Sequence, residues 1–149
     1  NREYELQFSF AADSFEFVIN DGLTTNVVVV SDDFFSAPAT ATWYFVMAWF
    51  DSVAGIGYIS VDNGTVDSAA KTGTPGTTTV DFMIGTNVVG GSFWDGRIDQ
   101  IGFWKRVLTA DERTFLYNSG SGRSHAEIVT GLPDITRSIL TMRVPSLVG

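Results

Sequence analysis

The sequence predicts an all-β protein, a two-sheet antiparallel sandwich of the jelly-roll type with one short α-helix. Three observations lead there. Apolar residues alternate with polar ones at period two over successive segments, the signature of strands with one buried face. Turn residues interrupt these segments at short intervals, which suits a sandwich and not an alternating βαβ fold. Only the stretch after Thr109 carries convincing helix punctuation. A chain of 149 residues is long enough for one compact domain and too short for two ordinary ones.

Taken in order, Glu3 to Phe10 alternate so that Tyr4, Leu6, Phe8 and Phe10 share one face. After Ala11-Ala12-Asp13-Ser14, residues Phe15, Phe17 and Ile19 repeat the pattern, and Asn20-Asp21-Gly22 ends it with turn chemistry, so the pair predicts a hairpin. The Val run within Asn26 to Ser31 predicts a third strand, buried on both sides. Thr42 to Phe50 and Gly57 to Val61 predict two more, followed by a hairpin turn at Asp62-Asn63-Gly64. Ser68 to Thr79, loaded with Gly, Ser, Thr, Ala and Pro, is expected as a surface loop. Strands are then expected at Thr79 to Ile84, Ser92 to Trp94 and Arg97 to Trp104. The helix follows, with Thr109 as N-cap, Glu112 as its capping-box partner and Gly120 and Gly122 as its stop.

The expected organisation is a sandwich over residues 1–125 and a tail over residues 126–149. In the tail, Ile135, Ile139, Leu140, Met142 and Val144 lie between Pro133 and Pro145 and need a surface to pack on, in the same molecule or a neighbour. His125 is expected to be a linker residue. No apolar stretch approaches the roughly 20 residues of a membrane-spanning helix.

Composition excludes several functions. The formal charge of −8 repels phosphate backbones, and no Lys/Arg cluster interrupts it, so nucleic acid is not an expected partner. The absence of Cys removes disulfides, thiolate metal sites and a Cys nucleophile. The single His has no Gly-x-Ser-x-Gly elbow to serve.

The segment from Trp43 to Gly122 resembles the laminin-G-like domains of the concanavalin A-like lectin/glucanase superfamily. Trp43-Tyr44-Phe45-Val46-Met47-Ala48 is similar to the family's central strand, Tyr58 to Gly64 to its next strand and hairpin, and Met83-Ile84-Gly85 to the following strand end. The run Phe93-Trp94-Asp95-Gly96-Arg97-Ile98-Asp99-Gln100-Ile101, continued through Arg106-Val107-Leu108-Thr109, resembles the family's Gly-x-Ile-Asp-Glu motif and the helix after it. In that pattern Gly96 turns the backbone, Ile98 and Ile101 pack inward, and Leu108 seats the helix. Trp43 and Trp104 hold positions that point inward in the family. Gln100 departs from the motif's Glu. Measured against the family pattern, the sandwich lacks an N-terminal edge, which the segment Ile135 to Val144 could fill as an added strand.

The resemblance implies a recognition domain and directs attention to particular residues. Trp94, Tyr58 and Asp95 are the candidate ligand-binding residues, the aromatic ones because sugar rings stack on their faces, while Asp95 also suits a solvated turn residue. Core packing is the competing role for the aromatic residues. Asp21 stands where calcium-binding relatives place a ligand, which makes calcium the candidate cofactor, although it also suits an Asp-Gly turn. Glu3 and Glu5 lie on one strand face as an acid pair would, but Glu3-Tyr4-Glu5-Leu6-Gln7-Phe8 lacks the third acid of the glucanase signature Glu-x-Asp-x-x-Glu. The expected function is a non-catalytic carbohydrate-binding or adhesive module of a secreted or surface protein, with a glycan or surface protein as partner. A structural module of an assembly such as a phage tail or capsid ranks second, and a glycoside hydrolase third.

Overall fold

A computed structural model describes residues 3–21, 26–30, 39, 41–71, 75–77, 79, 81–86 and 91–131. The chain divides into two compact units, Asn1–Phe82 and Met83–Gly149.

The first unit holds two antiparallel three-stranded sheets. One contains β1 (Tyr4–Ser9), β2 (Ser14–Asn20) and β3 (Asn26–Val30), in that order; the other contains β4 (Val46–Asp51), β5 (Ile56–Val61) and β6 (Val66–Ala70). The first three strands form where the alternation predicts them. Register pairs Phe8 with Phe15, Leu6 with Phe17 and Tyr4 with Ile19, so the apolar alternation of β1 faces the same way as that of β2. Phe17 pairs in turn with Val29, and Ile19 with Val27.

In the second sheet, Ala48 pairs with Ile59 and Phe50 with Gly57, which puts the small and apolar residues of β4 and β5 on one side. The core is built from both sheets: Phe15, Phe17, Ile19, Val29, Ile59 and Val61 are buried together, with Phe8, Tyr44, Val46, Ala48, Phe50 and Ala69 packed against them. A fully buried Ile contributes on the order of 1.5–3 kcal/mol, so this cluster dominates the unit's stability. The two sheets approach closely at Gly57, where a Cβ would lie 2.6 Å from Cδ1 of Ile19 and 3.1 Å from Cγ2 of Val29.

Turns are fixed by short polar side chains. Asp62 and Asn63 both take left-handed φ, 52° and 55°, as a tight type I′ hairpin turn requires. The Asp62 carboxylate also accepts the Phe45 N–H at 2.8 Å. Asp51 accepts from the N–H groups of Val53 and Ala54 at 2.9 and 3.0 Å and so closes the β4–β5 turn.

Several expectations change here. β6 occupies Val66–Ala70, part of which was expected as loop: Ser68, Ala69 and Ala70 are loop-prone by composition, but their alternation puts Ala69 against the core, and that packing decides the strand. The Val run is not buried on both sides, because Val28 is exposed opposite buried Val29 on an edge strand. Trp43, expected to point inward, is exposed and lies ahead of the β4 ladder.

The second unit is organised around helices. α1 (Ala110–Tyr117) starts at Thr109, whose side chain and that of Glu112 form the expected capping box, and Leu108 is buried at its entrance. The stop is set by Asn118, in left-handed conformation at φ 48°, followed by a 3₁₀ turn over Asn118–Gly120. Asn118 Nδ2 donates to the carbonyl of Gly122 at 2.8 Å.

A second helix, α2 (His125–Gly131), lies where a linker and tail were expected, so the described residues form two short α-helices and not one. Its N-terminus carries a recognisable signal: Ser124 and Glu127 exchange hydrogen bonds in a second capping box. The segment Ile135 to Val144 lies outside the described residues. Among the described residues, the expected strands at 79–84, 92–94 and 97–104 form no strand ladder. A strand needs a neighbour for its backbone groups, and the second unit offers, among its described residues, only the bridge between Thr86 and Phe93.

Candidate recognition surface

The predicted ligand residues fall in both units: Tyr58 is in the first, Trp94 and Asp95 are in the second. In the second unit, the Thr86–Phe93 bridge and a hydrogen bond from the Trp94 N–H to the Gly85 carbonyl, 2.8 Å, fasten the segment that presents Trp94. Gly85 takes φ 77°, a conformation that suits glycine there. A Cβ on Gly96 would lie 3.0 Å from Nε1 of Trp94, so the glycine provides the space in which the indole rests. Its role is to seat the ring, which adds to the turning role expected from the motif. Phe93 remains 75% exposed and Trp94 43% exposed, with exposed Asp95 following. Phe93, Trp94 and Asp95 are therefore three consecutive exposed residues on a fastened segment.

The motif's other residues do different work. Ile98, expected to pack inward, is exposed, while Ile101 is half-buried. Trp104 folds back over Gly102, where a Cβ would meet the indole at 2.5 Å, and its Nε1 is buried without a hydrogen-bond partner among the described residues. Gln100 takes a left-handed φ of 51°, and its side-chain amide lies against Gly122. Asp99 accepts the Gln100 N–H at 2.8 Å and so spends its carboxylate on backbone geometry.

Helix α1 is anchored through charge. Arg106 donates to both carboxylate oxygens of Glu112, at 2.7 and 2.6 Å, and the Thr109 N–H donates to the same carboxylate at 2.8 Å. The Arg106 hydrogen bonds chiefly, with help from Thr109, hold the Glu112 carboxyl down at about 2 against its ordinary 4.5. The Ser124 hydroxyl and N–H likewise lower Glu127. Arg123 ties the two helices together, donating to the Phe115 carbonyl at 3.0 Å, with its guanidinium 4.3 Å above the Phe115 ring centroid.

In the first unit, Tyr58 stacks on Trp49 of the neighbouring strand, with ring centroids 5.1 Å apart and planes 12° apart. Because Gly57, Ile59 and Val61 turn inward, this pair occupies the opposite side of the sheet, half-buried. Its row continues into Ser68 of β6. Tyr58 is thus one half of a stacked aromatic pair with Trp49.

Asp21, the predicted metal ligand, lies at the end of β2 beside Lys71, whose ammonium is 4.0 Å from its carboxylate. The Lys71 side chain is 0% exposed. Pattern reading missed this lysine, although inward-facing Asp67 and Ala69 set a parity that carries Lys71 inward too. Calcium takes six to eight oxygens with several carboxylates. Among the described residues no group of three His, Cys, Asp or Glu side chains could hold a metal ion. A carboxylate beside a buried ammonium therefore does not fit calcium.

Glu5 pairs with Val18 on the outward side of β1, and Gln7, two residues on, donates to Glu16 at 2.8 Å. Among the described residues no helix is long and apolar enough to cross a membrane.

No curated protein and no solved structure matches the chain. A laminin-G family model does match, across residues 1–112, which spans both sheets and the motif that leads into α1. With its two antiparallel three-stranded sheets, the chain belongs to the concanavalin A-like lectin/glucanases superfamily.

Proposed function

We propose that the chain is a non-catalytic recognition module that binds a neutral glycan through Phe93, Trp94 and Asp95. The observation that carries this reading is the exposure of two consecutive aromatic side chains, Phe93 and Trp94, at the point where the chain is tied to Thr86 and Gly85. Burying such rings in solvent-free contact is the usual source of stacking affinity, and an already ordered segment loses little entropy when a ligand arrives. Asp95 supplies an acceptor for sugar hydroxyls. The net charge of −8 disfavours sulfated or phosphorylated ligands. The proposed binding needs no calcium, a reading that the placement of Asp21 beside Lys71 supports. A secreted or surface setting, on a cell or a virion, is where such a module meets glycans.

The test is a glycan array on the full chain, with millimolar calcium and again with chelator, alongside Trp94→Ala. Saturable binding that persists in chelator and weakens about tenfold or more in Trp94→Ala is expected. Silence under both conditions, or binding indifferent to Trp94→Ala, overturns the reading. Release of reducing sugar overturns its non-catalytic part. A second reading, a structural module of an assembly such as a phage tail or capsid, is favoured by one observation: the core-facing side of β1 is only partly covered.

A further inference from the structure

We infer that Asn63 is a self-modification site, at which the Gly64 backbone nitrogen attacks the side-chain amide of Asn63 at a rate set by the folded β5–β6 turn. Asn63-Gly64 is the only Asn-Gly pair in the sequence. Such a pair is labile because glycine has no Cβ to shield its nitrogen. Asn63, Gly64 and Thr65 are all exposed, so water and solvent base reach the turn. In the reaction the Gly64 nitrogen gives up its proton to solvent base and bonds to Cγ of Asn63, and the side-chain amide leaves as ammonia. Water then opens the resulting five-membered imide at either carbonyl. One opening leaves aspartate at position 63, and the other leaves isoaspartate, whose backbone runs through the side-chain carbon. Nothing is oxidised or reduced, and water is the only co-reactant.

Two features of the turn oppose the attack. The Gly64 N–H donates to the Val61 carbonyl at 2.9 Å, so the proton that must leave is held in a hydrogen bond. Asn63 takes left-handed φ 55°, next to Asp62 at 52°. Left-handed backbone carries ψ of about +47°, the wrong sign for closing the imide ring. The turn is also braced from outside. Asp62 accepts the Phe45 N–H and donates its own N–H to the Phe45 carbonyl, both at 2.8 Å, and the Ser60 hydroxyl donates to the Gly64 carbonyl at 3.3 Å. Reaction therefore runs from the opened hairpin and is scaled by the population of that open state. The consequence falls on β6, an edge strand that, among the described residues, forms its ladder with β5 alone. Ala69 of this strand packs on the core, and Lys71, just past it, is buried. Isoaspartate inserts a carbon into the backbone of the turn and adds a negative charge beside Asp62. The hydrogen bond between Gly64 and Val61 then no longer closes in its original geometry, and β6 loses its anchor. A transient opening is thereby made permanent.

Peptide mapping over residues 62–66 tests this on the full 149-residue chain, incubated in mildly alkaline buffer with and without denaturing urea. Loss of the Asn63 amide is expected to be at least about tenfold slower in the folded chain than in urea. Asp62→Ala removes the carboxylate that accepts from Phe45 and a side chain that tolerates left-handed backbone. It should speed the reaction of folded Asn63 about fivefold or more, while Asn118, in the cap of α1, reacts at its parental rate. The isoaspartate form, isolated by chromatography, should show amide hydrogen exchange over Val66–Ala70 at least about tenfold faster than the parent. Equal rates for Asn63 in the folded and unfolded chain overturn the inference. So does a folded Asp62→Ala protein that reacts no faster, or an isoaspartate form whose Val66–Ala70 amides exchange as slowly as before. The comparison of folded and unfolded parent stays decisive if Asp62→Ala does not fold. Because no glycan enters the assay, its result is independent of the proposed binding function.

Discussion

Gly57→Ala places a methyl group at a close approach of the two sheets, and its cost can be worked from the distances there. The new Cβ would lie 2.6 Å from Cδ1 of Ile19 and 3.1 Å from Cγ2 of Val29. Favourable carbon contacts lie near 3.5–4.0 Å, so the sheets or the side chains must give by about 1 Å. Ile19 and Val29 are both buried in the core cluster and have little free space to move into. Overpacking of this kind costs about 1–3 kcal/mol. Replacing a strand glycine returns about 0.5–1 kcal/mol through backbone entropy, which leaves a central net loss of about 1 kcal/mol. Urea unfolding followed by tryptophan fluorescence measures it. The decisive comparison adds Ile19→Val, which removes the clashing Cδ1 and leaves Cγ1 at an ordinary 3.7 Å. Alone, Ile19→Val costs about 0.5–1.5 kcal/mol. Together the two changes should cost less than their sum by about 1 kcal/mol. A Gly57→Ala protein as stable as its parent, or strict additivity in the double variant, refutes the close approach of the sheets at this point.

Further predictions concern charge. Asp21→Ala removes the carboxylate beside the fully buried Lys71 side chain and should destabilise the first unit by about 3 kcal/mol in urea unfolding, whereas Lys71→Met should cost distinctly less, because an apolar chain of similar length does not need a counter-charge. The Glu112 carboxyl is held at about 2 in the fold against an ordinary 4.5, so it binds fewer protons folded than unfolded over that interval. The stability it contributes is therefore complete above about 4.5 and is lost as pH falls through about 2. Acid titration by circular dichroism at 222 nm should show Arg106→Gln losing much of that dependence. Thr109→Ala should cost about 1 kcal/mol through the same capping box, and a flat difference between parent and Arg106→Gln from pH 5 to pH 2 counts against the assignment.

Local patterns were legible wherever they alone decide structure. The alternation of Tyr4 to Phe10 and Phe15 to Ile19 specified a hairpin, and left-handed Asp62 and Asn63 specified a turn, because pleat parity and turn chemistry act over a few residues. The Thr109–Glu112 capping box was equally readable, and Ser124–Glu127 carried the same signal for α2 but was read as linker. Ser68 to Ala70 were misread since their composition suits a loop, while their strand state rests on Ala69 packing against a core that the other sheet supplies. At the candidate site, Trp94 was legible as an exposed aromatic residue in a turn-rich segment. Its seat on Gly96 and its tie to Gly85 join residues whose relation only the folded backbone shows.

Sequence by itself determined the family, the period of the strands and the helix caps, because each depends on residues adjacent along the chain. Tertiary structure alone decided that Lys71 is buried beside Asp21, that Trp49 and Tyr58 form one stack, and that Tyr4 and Leu6 stay half-exposed on a core-facing side. Each of these depends on which strand lies beside or above another. Pairing partners are selected by the free energy of the assembled core, summed over many distant contacts, and no short stretch of sequence contains that sum.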